Sequence, residues 1–441
     1  MRLSLGLGIQ RTKISAFVSA AINLLFSDGL DALDSRITFT RSTTGTRFNK
    51  SGLIETVAIN APRFDYNPVT LAPMGLLVEE QRANLMTYSA DFTNAIWAIG
   101  DNGGAVVTAD TDTAPDGTVS ADTLNDNNAS AILGRKNGIA TTSGTSVYTA
   151  SIFIKKNTSN CASIRVQLSG GTAVTGELVV NTATGAAQWR TGVSGTSFTS
   201  TQINNGWFRY SVSITDNASS NNSLSVEVRP AFASTYSPTI DLAATGSIFA
   251  WGGQVEVGSF ATSYIPTTTV SVTRAADLAV MTGTSFSNWY SQSAGTFIIE
   301  FQSITNGKNS TGGNGFLFLY DIDNASTNNI TLIASNGYGP GVESTIADAG
   351  VNQAVMRSSV ALADGLTKKH ALAYAANDFA ACVNGGAVLT DTSGTVPSGM
   401  TRLTLGAQNA TVGVNNFTGY IQRIAHHSRR LSNAELQSIT A

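Results

Sequence analysis

Asp321 and Asp323 stand two residues apart in Asp321-Ile322-Asp323-Asn324. On a strand both carboxylates would face one side, where a backbone carbonyl and waters would complete an oxygen cage for Ca²⁺. The competing reading is a solvated turn after the apolar run 316–320. The turn is preferred, because the glycine and glutamate of a helix-loop-helix calcium site are missing. Asp101-Asn102-Gly103 and the aspartates between 110 and 116 read as turns as well. Of the three histidines, His426 and His427 are adjacent. They point to opposite faces of a strand and cannot share a metal ion, so His370, His426 and His427 are expected to be structural. The sequence holds no G-x-S-x-G elbow, no phosphate loop and no dinucleotide fingerprint. No catalytic residue is assigned, and no cofactor beyond the Ca²⁺ question at Asp321 and Asp323.

Aromatic rings offer different chemistry, because a ring stacks on the apolar face of a pyranose while a few directed hydrogen bonds fix its orientation. Trp97, Trp289, Tyr290 and Tyr338 are the ligand-binding candidates, with Trp189 beside them. Tyr338, in Asn336-Gly337-Tyr338-Gly339-Pro340, reads as a loop tip. Trp207 and Trp251 lie in strongly alternating strands and are assigned to the core.

The elements that position these groups follow from composition. The 441 residues are 42% hydrophobic but only 12% charged, about half the charged share usual for soluble domains. Polarity comes from Ser, Thr, Asn and Gly, which suit pleated strands and tight turns and argue against long helices. A net charge of −3 lacks the dense Lys/Arg footprint that phosphate neutralisation requires, so nucleic acid is excluded as a partner. The two cysteines, Cys161 and Cys382, are expected in different domains and therefore unpaired. Arg2, Arg11 and Lys13 precede an apolar run from Ile14 to Phe26 that is too short to span a bilayer and lacks a small-residue cleavage site. It reads as a docking segment, without membrane insertion.

Short strands separated by Gly, Asn and Ser clusters run from about Asn84 to Pro266 and again from Gly295 onward. In Tyr148–Ile154, Ser163–Leu168, Trp207–Val212 and Leu224–Val228, apolar and polar residues alternate. Asn384-Gly385 signals a type I′ hairpin turn, and Ser432 with Glu435 signals a capping box opening a short helix. Pro62, Pro68 and Pro73 argue for an extended strap laid on another surface. The expected fold is all-β: two β-sandwich (jelly-roll) domains in tandem, 81–268 and 269–441, after an N-terminal attachment segment and strap over 1–80.

Phrases along the chain carry a resemblance. Thr38-Phe39-Thr40-Arg41-Ser42-Thr43, Pro62-Arg63-Phe64-Asp65-Tyr66, Gly75-Leu76-Leu77-Val78-Glu79-Glu80-Gln81-Arg82-Ala83-Asn84-Leu85, Trp251-Gly252-Gly253-Gln254-Val255-Glu256 and Thr262-Ser263-Tyr264-Ile265-Pro266-Thr267 look like a bacteriophage virion family found in tail fibres and head spikes. The middle domain resembles a carbohydrate-binding-module jelly roll. From Gly295 onward, through Leu403-Thr404-Leu405-Gly406 and Gly419-Tyr420-Ile421, the chain is similar to concanavalin A-like or laminin-G-like lectin sandwiches. The resemblance implies a structural, non-enzymatic protein of the virion surface, made in the host cytoplasm. It would be attached through residues 1–80 to capsid, portal or tail proteins, assembled as a homotrimer, and adhesive to host surface glycans. The E-x-D-x-x-E strand of lectin-fold glucanases is missing, since Phe301-Gln302-Ser303 follow Glu300. The alternatives are a decoration protein without ligand and a glycan-degrading spike.

Overall fold

The computed structural model describes residues 20–29, 32–192, 196–305, 316–324, 327–335, 339–411 and 416–441. The all-β expectation holds. Nearly every regular element is a strand, and the strands pair antiparallel in stacked sheets.

The middle sandwich stacks two six-stranded sheets. One runs in the order Ser197–Gln202, Trp207–Thr215, Val147–Lys156, Gly246–Val257, Val119–Asp126, Val106–Thr113. The other runs Ala187–Thr191, Val174–Asn181, Cys161–Ser169, Ser223–Arg229, Arg135–Ala140, Trp97–Ile99. Alternation decides which side chains go between the sheets. Ile152, Ile154, Tyr210 and Val212 from the first sheet meet Ile164, Val166, Val226 and Val228 from the second. The intervening residues face outward.

The second sandwich pairs an eight-stranded sheet with a seven-stranded one. In the larger sheet, Gly419–His427 lies between Ala294–Ser303 on one side and Pro73–Val78 with Ile22–Leu25 on the other. Arg63–Tyr66 then adds to Pro73–Val78. In the smaller sheet Thr38–Thr40 pairs with Leu278–Thr282. Among the described residues, the strap expected before residue 80 is therefore not a separate unit. The surface on which its proline-marked strand lies belongs to this same chain. The middle sandwich is enclosed in sequence between two parts of the second one. The physical reason is edge pairing: Pro73 is the first residue of its strand, where a missing N–H costs no ladder bond, so the segment can still complete a sheet. Residues 1–19 lie outside the described residues; the later half of the expected docking segment does not dock elsewhere, because Ile22, Leu24 and Phe26 are buried in this chain's own core.

Local signals hold well. Asn384 and Gly385 both have positive φ, 47° and 66°, and the Gly386 N–H donates to the Val383 carbonyl at 2.9 Å, as a type I′ turn requires. Ser432 caps the helix Asn433–Thr440, with Glu435 completing the reciprocal box. Cys161 and Cys382 are buried, unpaired and in different sandwiches.

Candidate functional site

The aromatic candidates are core residues. Trp97 is fully buried, its ring centroid 4.3 Å from that of Phe92, and its indole N–H donates to the Tyr88 carbonyl at 2.9 Å. Trp289 and Tyr290 pack with Phe286, Phe297 and His426 inside the second sandwich. A ring that fills a core has no free face for a sugar, so these three assignments are corrected. Tyr338 lies outside the described residues.

Asp321 and Asp323 do share one face, but that face is buried. Arg402 takes both oxygens of Asp323, Nε at 2.9 Å and Nη2 at 2.7 Å. The Asn409 N–H donates to Asp321 at 2.8 Å. Burial, reinforced by the neighbouring Asp323, pushes the Asp321 carboxyl up to about 7. Neither a calcium cage nor a solvated turn describes them: a guanidinium occupies the place of the cation. Among the described residues no group of three or more His, Cys, Asp or Glu could hold a metal ion. His370 bonds Ser344 Oγ at 3.0 Å and His426 bonds the Tyr374 hydroxyl at 3.0 Å. Burial holds both imidazoles down to about 3, which keeps them neutral.

Two charged constellations escaped the sequence reading. The first is a joint between the two sandwiches, built from several of the phrases quoted for the resemblance. Arg41 donates to Asp277 Oδ1 at 3.0 Å, and Arg63 donates to Asp277 Oδ2. Arg63 also meets Glu79 Oε2 at 2.7 Å, and Arg274 lies 3.4 Å from the same oxygen. Ser263 donates to both oxygens of Glu79, from N at 2.8 Å and Oγ at 2.7 Å. Burial works to raise Glu79, but Arg274 and Arg63 hold it down at about 2. Around this centre, Glu256 accepts from the Thr262 N–H at 2.9 Å, and Asn84 donates to the carbonyls of Gly253 and Ile265. The phrases thus specify a buried, densely bonded polar connector, which explains why charges punctuate otherwise apolar runs.

The second constellation covers the outer face of the sheet carrying Cys161–Ser169 and Ser223–Arg229. Glu177 and Glu227 lie almost completely buried, bridged by Arg229 at 2.7 and 2.8 Å. Above them, Arg190 pairs with Glu177, and Arg165 lies 3.5 Å from Glu227. Asp101, from the loop Gly100–Gly104, reaches across to Lys136 and Arg165. Of these groups, Asp101, Arg165, Glu177, Arg190 and Arg229 border an open groove of about 500 Å³. Four cations (Lys136, Arg165, Arg190, Arg229) stand against three carboxylates (Asp101, Glu177, Glu227). The signal was present in the sequence: Glu227 and Arg229 alternate with core valines and so share the outer face.

Comparison with known proteins adds a likeness of fold. No protein-family model matches the chain, and no curated protein matches its sequence. Among solved structures it is similar to the NanB sialidase of Streptococcus pneumoniae, with 19% identity and TM-score 0.30 over 36% of this chain and 26% of that one. It is also similar to the Ruminococcus gnavus IT-sialidase CBM40 bound to α2,3 sialyllactose, with 17% identity and TM-score 0.28 over 34% of this chain and 84% of that one. A third is the leech intramolecular trans-sialidase, with 19% identity and TM-score 0.28 over 34% of this chain and 23% of that one. The chain spans about a quarter of the length of the NanB structure. Because sialidases are among these structures, the expectation that the chain is not an enzyme is withdrawn. Likeness at this level concerns the β-sandwich fold and assigns no reaction.

Proposed function

We propose that the chain is a stiff appendage of a bacteriophage particle, a tail fibre or head spike, which holds host surface glycan in the groove on the outer face of its middle sandwich. The observation that carries the sugar-binding part is the groove's array of guanidinium and carboxylate groups. Each hydroxyl of a glycan both donates and accepts, so a guanidinium beside a carboxylate can meet two neighbouring hydroxyls with directed bonds. Arg165 and Arg190 are partly exposed, with 21% and 34% of their side-chain surface open, while Glu177 beneath them is 1% open. The buried carboxylates hold the guanidinium planes in place, so little side-chain freedom remains to be lost on binding.

The appendage part is supported by the phrases that resemble the virion family, several of which meet in the joint. A buried cluster that fixes two sandwiches against each other gives the rigidity a projection needs. The residues before Ile22 dock the chain to capsid, portal or tail, and three copies assemble together, so that weak single sites gain from multivalency. The mature location is the virion surface, reached after synthesis in the host cytoplasm.

The test has two arms. Full-length protein is titrated with polysaccharide extracted from host envelopes. Saturable binding that weakens about tenfold or more in Arg165→Ala and Arg190→Ala is expected, and undiminished binding rejects the groove. Particles made with and without the gene product are then imaged. Loss of a peripheral projection is expected, and an unchanged outline rejects the appendage.

A further inference from the structure

A second concavity, of about 290 Å³, opens between the two sandwiches. Its floor is the outer face of the other sheet of the middle sandwich, where Ser and Thr oppose one another across three strands. Thr199 and Ser211 hydroxyls lie 2.6 Å apart, and Thr149 and Ser213 hydroxyls 2.7 Å apart. Ser197, directly opposite Ser213 in the ladder, stands at the exposed rim. One wall is the hairpin bearing Phe48. The other is the segment 259–264 bearing Phe260, whose ring is backed by the Arg82 guanidinium at 4.6 Å. Both phenylalanines are half-buried.

The charged groups at its base are already engaged in hydrogen bonds. Arg47 pairs with Glu55 at 2.7 Å and donates to the Phe64 carbonyl. Arg209 donates to the Thr262 carbonyl at 2.6 Å and to Ser151 Oγ at 2.9 Å. Asp65 accepts from the Tyr420 hydroxyl at 3.0 Å and from the Phe48 N–H. Glu79 is held within the joint. A charged ligand would have to displace the bonds that Arg209 and Asp65 already make before its lost hydration was repaid. What the cleft does offer is paired hydroxyls on one side and the half-buried rings of Phe48 and Phe260 on the other, to meet the polar and apolar sides of a pyranose. Its volume lies near the lower end of the roughly 300–1,000 Å³ typical of small-molecule sites, enough for one or two rings.

We infer that this cleft is a binding site for an uncharged sugar residue, assembled only when the two sandwiches are joined. It is separate from the charged groove and does not depend on that groove binding anything. Its lining includes Asp65, Glu79 and Ser263, so the segments that lock the joint also build the site.

The experiment is saturation-transfer NMR on the full-length protein. The probes are methyl β-D-galactopyranoside, methyl α-D-glucopyranoside and methyl β-D-glucuronoside. The variants are Ser197→Trp, which blocks the rim, Thr199→Val, which removes one floor hydroxyl without changing shape, and Arg190→Ala in the groove. Melting temperatures check the fold of each. Thr199→Val, on an exposed edge strand, keeps the test alive if the larger substitution disturbs folding. The expected result is saturable binding of an uncharged pyranoside with Kd on the order of 1 mM, weakened about tenfold or more in both cleft variants. Three results would overturn the inference: no binding of either uncharged pyranoside, binding that persists in both cleft variants, or equal binding of the glucuronoside. Loss of binding in Arg190→Ala with both cleft variants intact would move the sugar to the groove and also overturn it.

Discussion

Asp277→Asn tests the joint most directly. The side chains of Arg41, Arg63 and Asp277 are wholly buried, and those of Arg274 and Glu79 nearly so. At this centre three guanidinium groups face two carboxylates (Arg41, Arg63, Arg274 against Asp277, Glu79). The substitution preserves shape but leaves three cations against one carboxylate, away from water. Removing one partner of a buried pair costs about 3–5 kcal/mol, because the remaining charge is stranded. Asp277 serves two guanidiniums and also accepts from the Glu79 N–H at 3.0 Å. The asparagine carbonyl can retain one of these bonds, so the expected cost is about 3 kcal/mol. Urea unfolding followed by tryptophan fluorescence reads it, since Trp289 reports on the second sandwich and Trp97 and Trp207 on the middle one. The early loss is expected in both signals, because the joint belongs to both units. An Arg63→Met/Asp277→Asn double-mutant cycle should show a coupling of about 1–3 kcal/mol. A cost below about 1 kcal/mol for Asp277→Asn, with no coupling to Arg63, would refute the claim that these phrases form an energetically coupled connector.

Other substitutions test separate features. Asp321 has its carboxyl raised to about 7 from the ordinary 3.8, so the folded state holds a proton that the unfolded state has released, and stability contributed by this group falls as pH rises from about 4 to 7. Asp321→Asn should therefore gain on the parent across that interval by up to a few kcal/mol, with the difference level above it, as measured by urea midpoints at several pH values. Gly75 has φ +111°, and an added Cβ would stand 2.6 Å from the Ile421 carbonyl oxygen. Gly75→Ala should cost about 2 kcal/mol or more and speed hydrogen exchange along Pro73–Val78; unchanged exchange would contradict the observed pairing with Gly419–His427. Ser432→Ala should lower stability by about 1 kcal/mol, read by thermal melting, through loss of the Glu435 N–H acceptor. Adding Ca²⁺ or EDTA should leave the melting temperature unchanged, and a Ca²⁺-dependent rise abolished by Asp323→Ala would overturn the reading of Asp323 as a partner of Arg402.

What could be read from the sequence was what depends on near neighbours. The alternating strands, the Asn384-Gly385 turn and the Ser432 box each have their physical cause within a few residues. The joint does not: Arg63 and Asp277 are 214 positions apart, and Arg41 and Asp277 are 236. No local pattern identifies such partners. The phrases were visible as unusual, but whether a buried charge serves a ligand or another side chain is decided by packing. Trp97 and Trp289 illustrate the same limit from the apolar side. Ring chemistry alone points both to sugar stacking, yet tertiary burial sets their role. The N-terminal strands were read as a strap because prolines break helices and central strands alike, and a sheet edge that accepts them lies more than three hundred residues away.

The pairing of Ile22–Leu25 and Pro73–Val78 with Gly419–His427 also imposes an order of events at the ribosome. Asn23 and Arg423, 400 positions apart, are bonded at 2.8 Å. The middle sandwich can close as soon as Gly246–Val257 has emerged, whereas the early strands must wait, edges unpaired, through the synthesis of more than three hundred further residues. Such late closure is slow and leaves a nascent chain open to wrong pairing. It also acts as a quality check: a chain truncated before residue 419 retains a folded middle domain but leaves the strands before it without their partner.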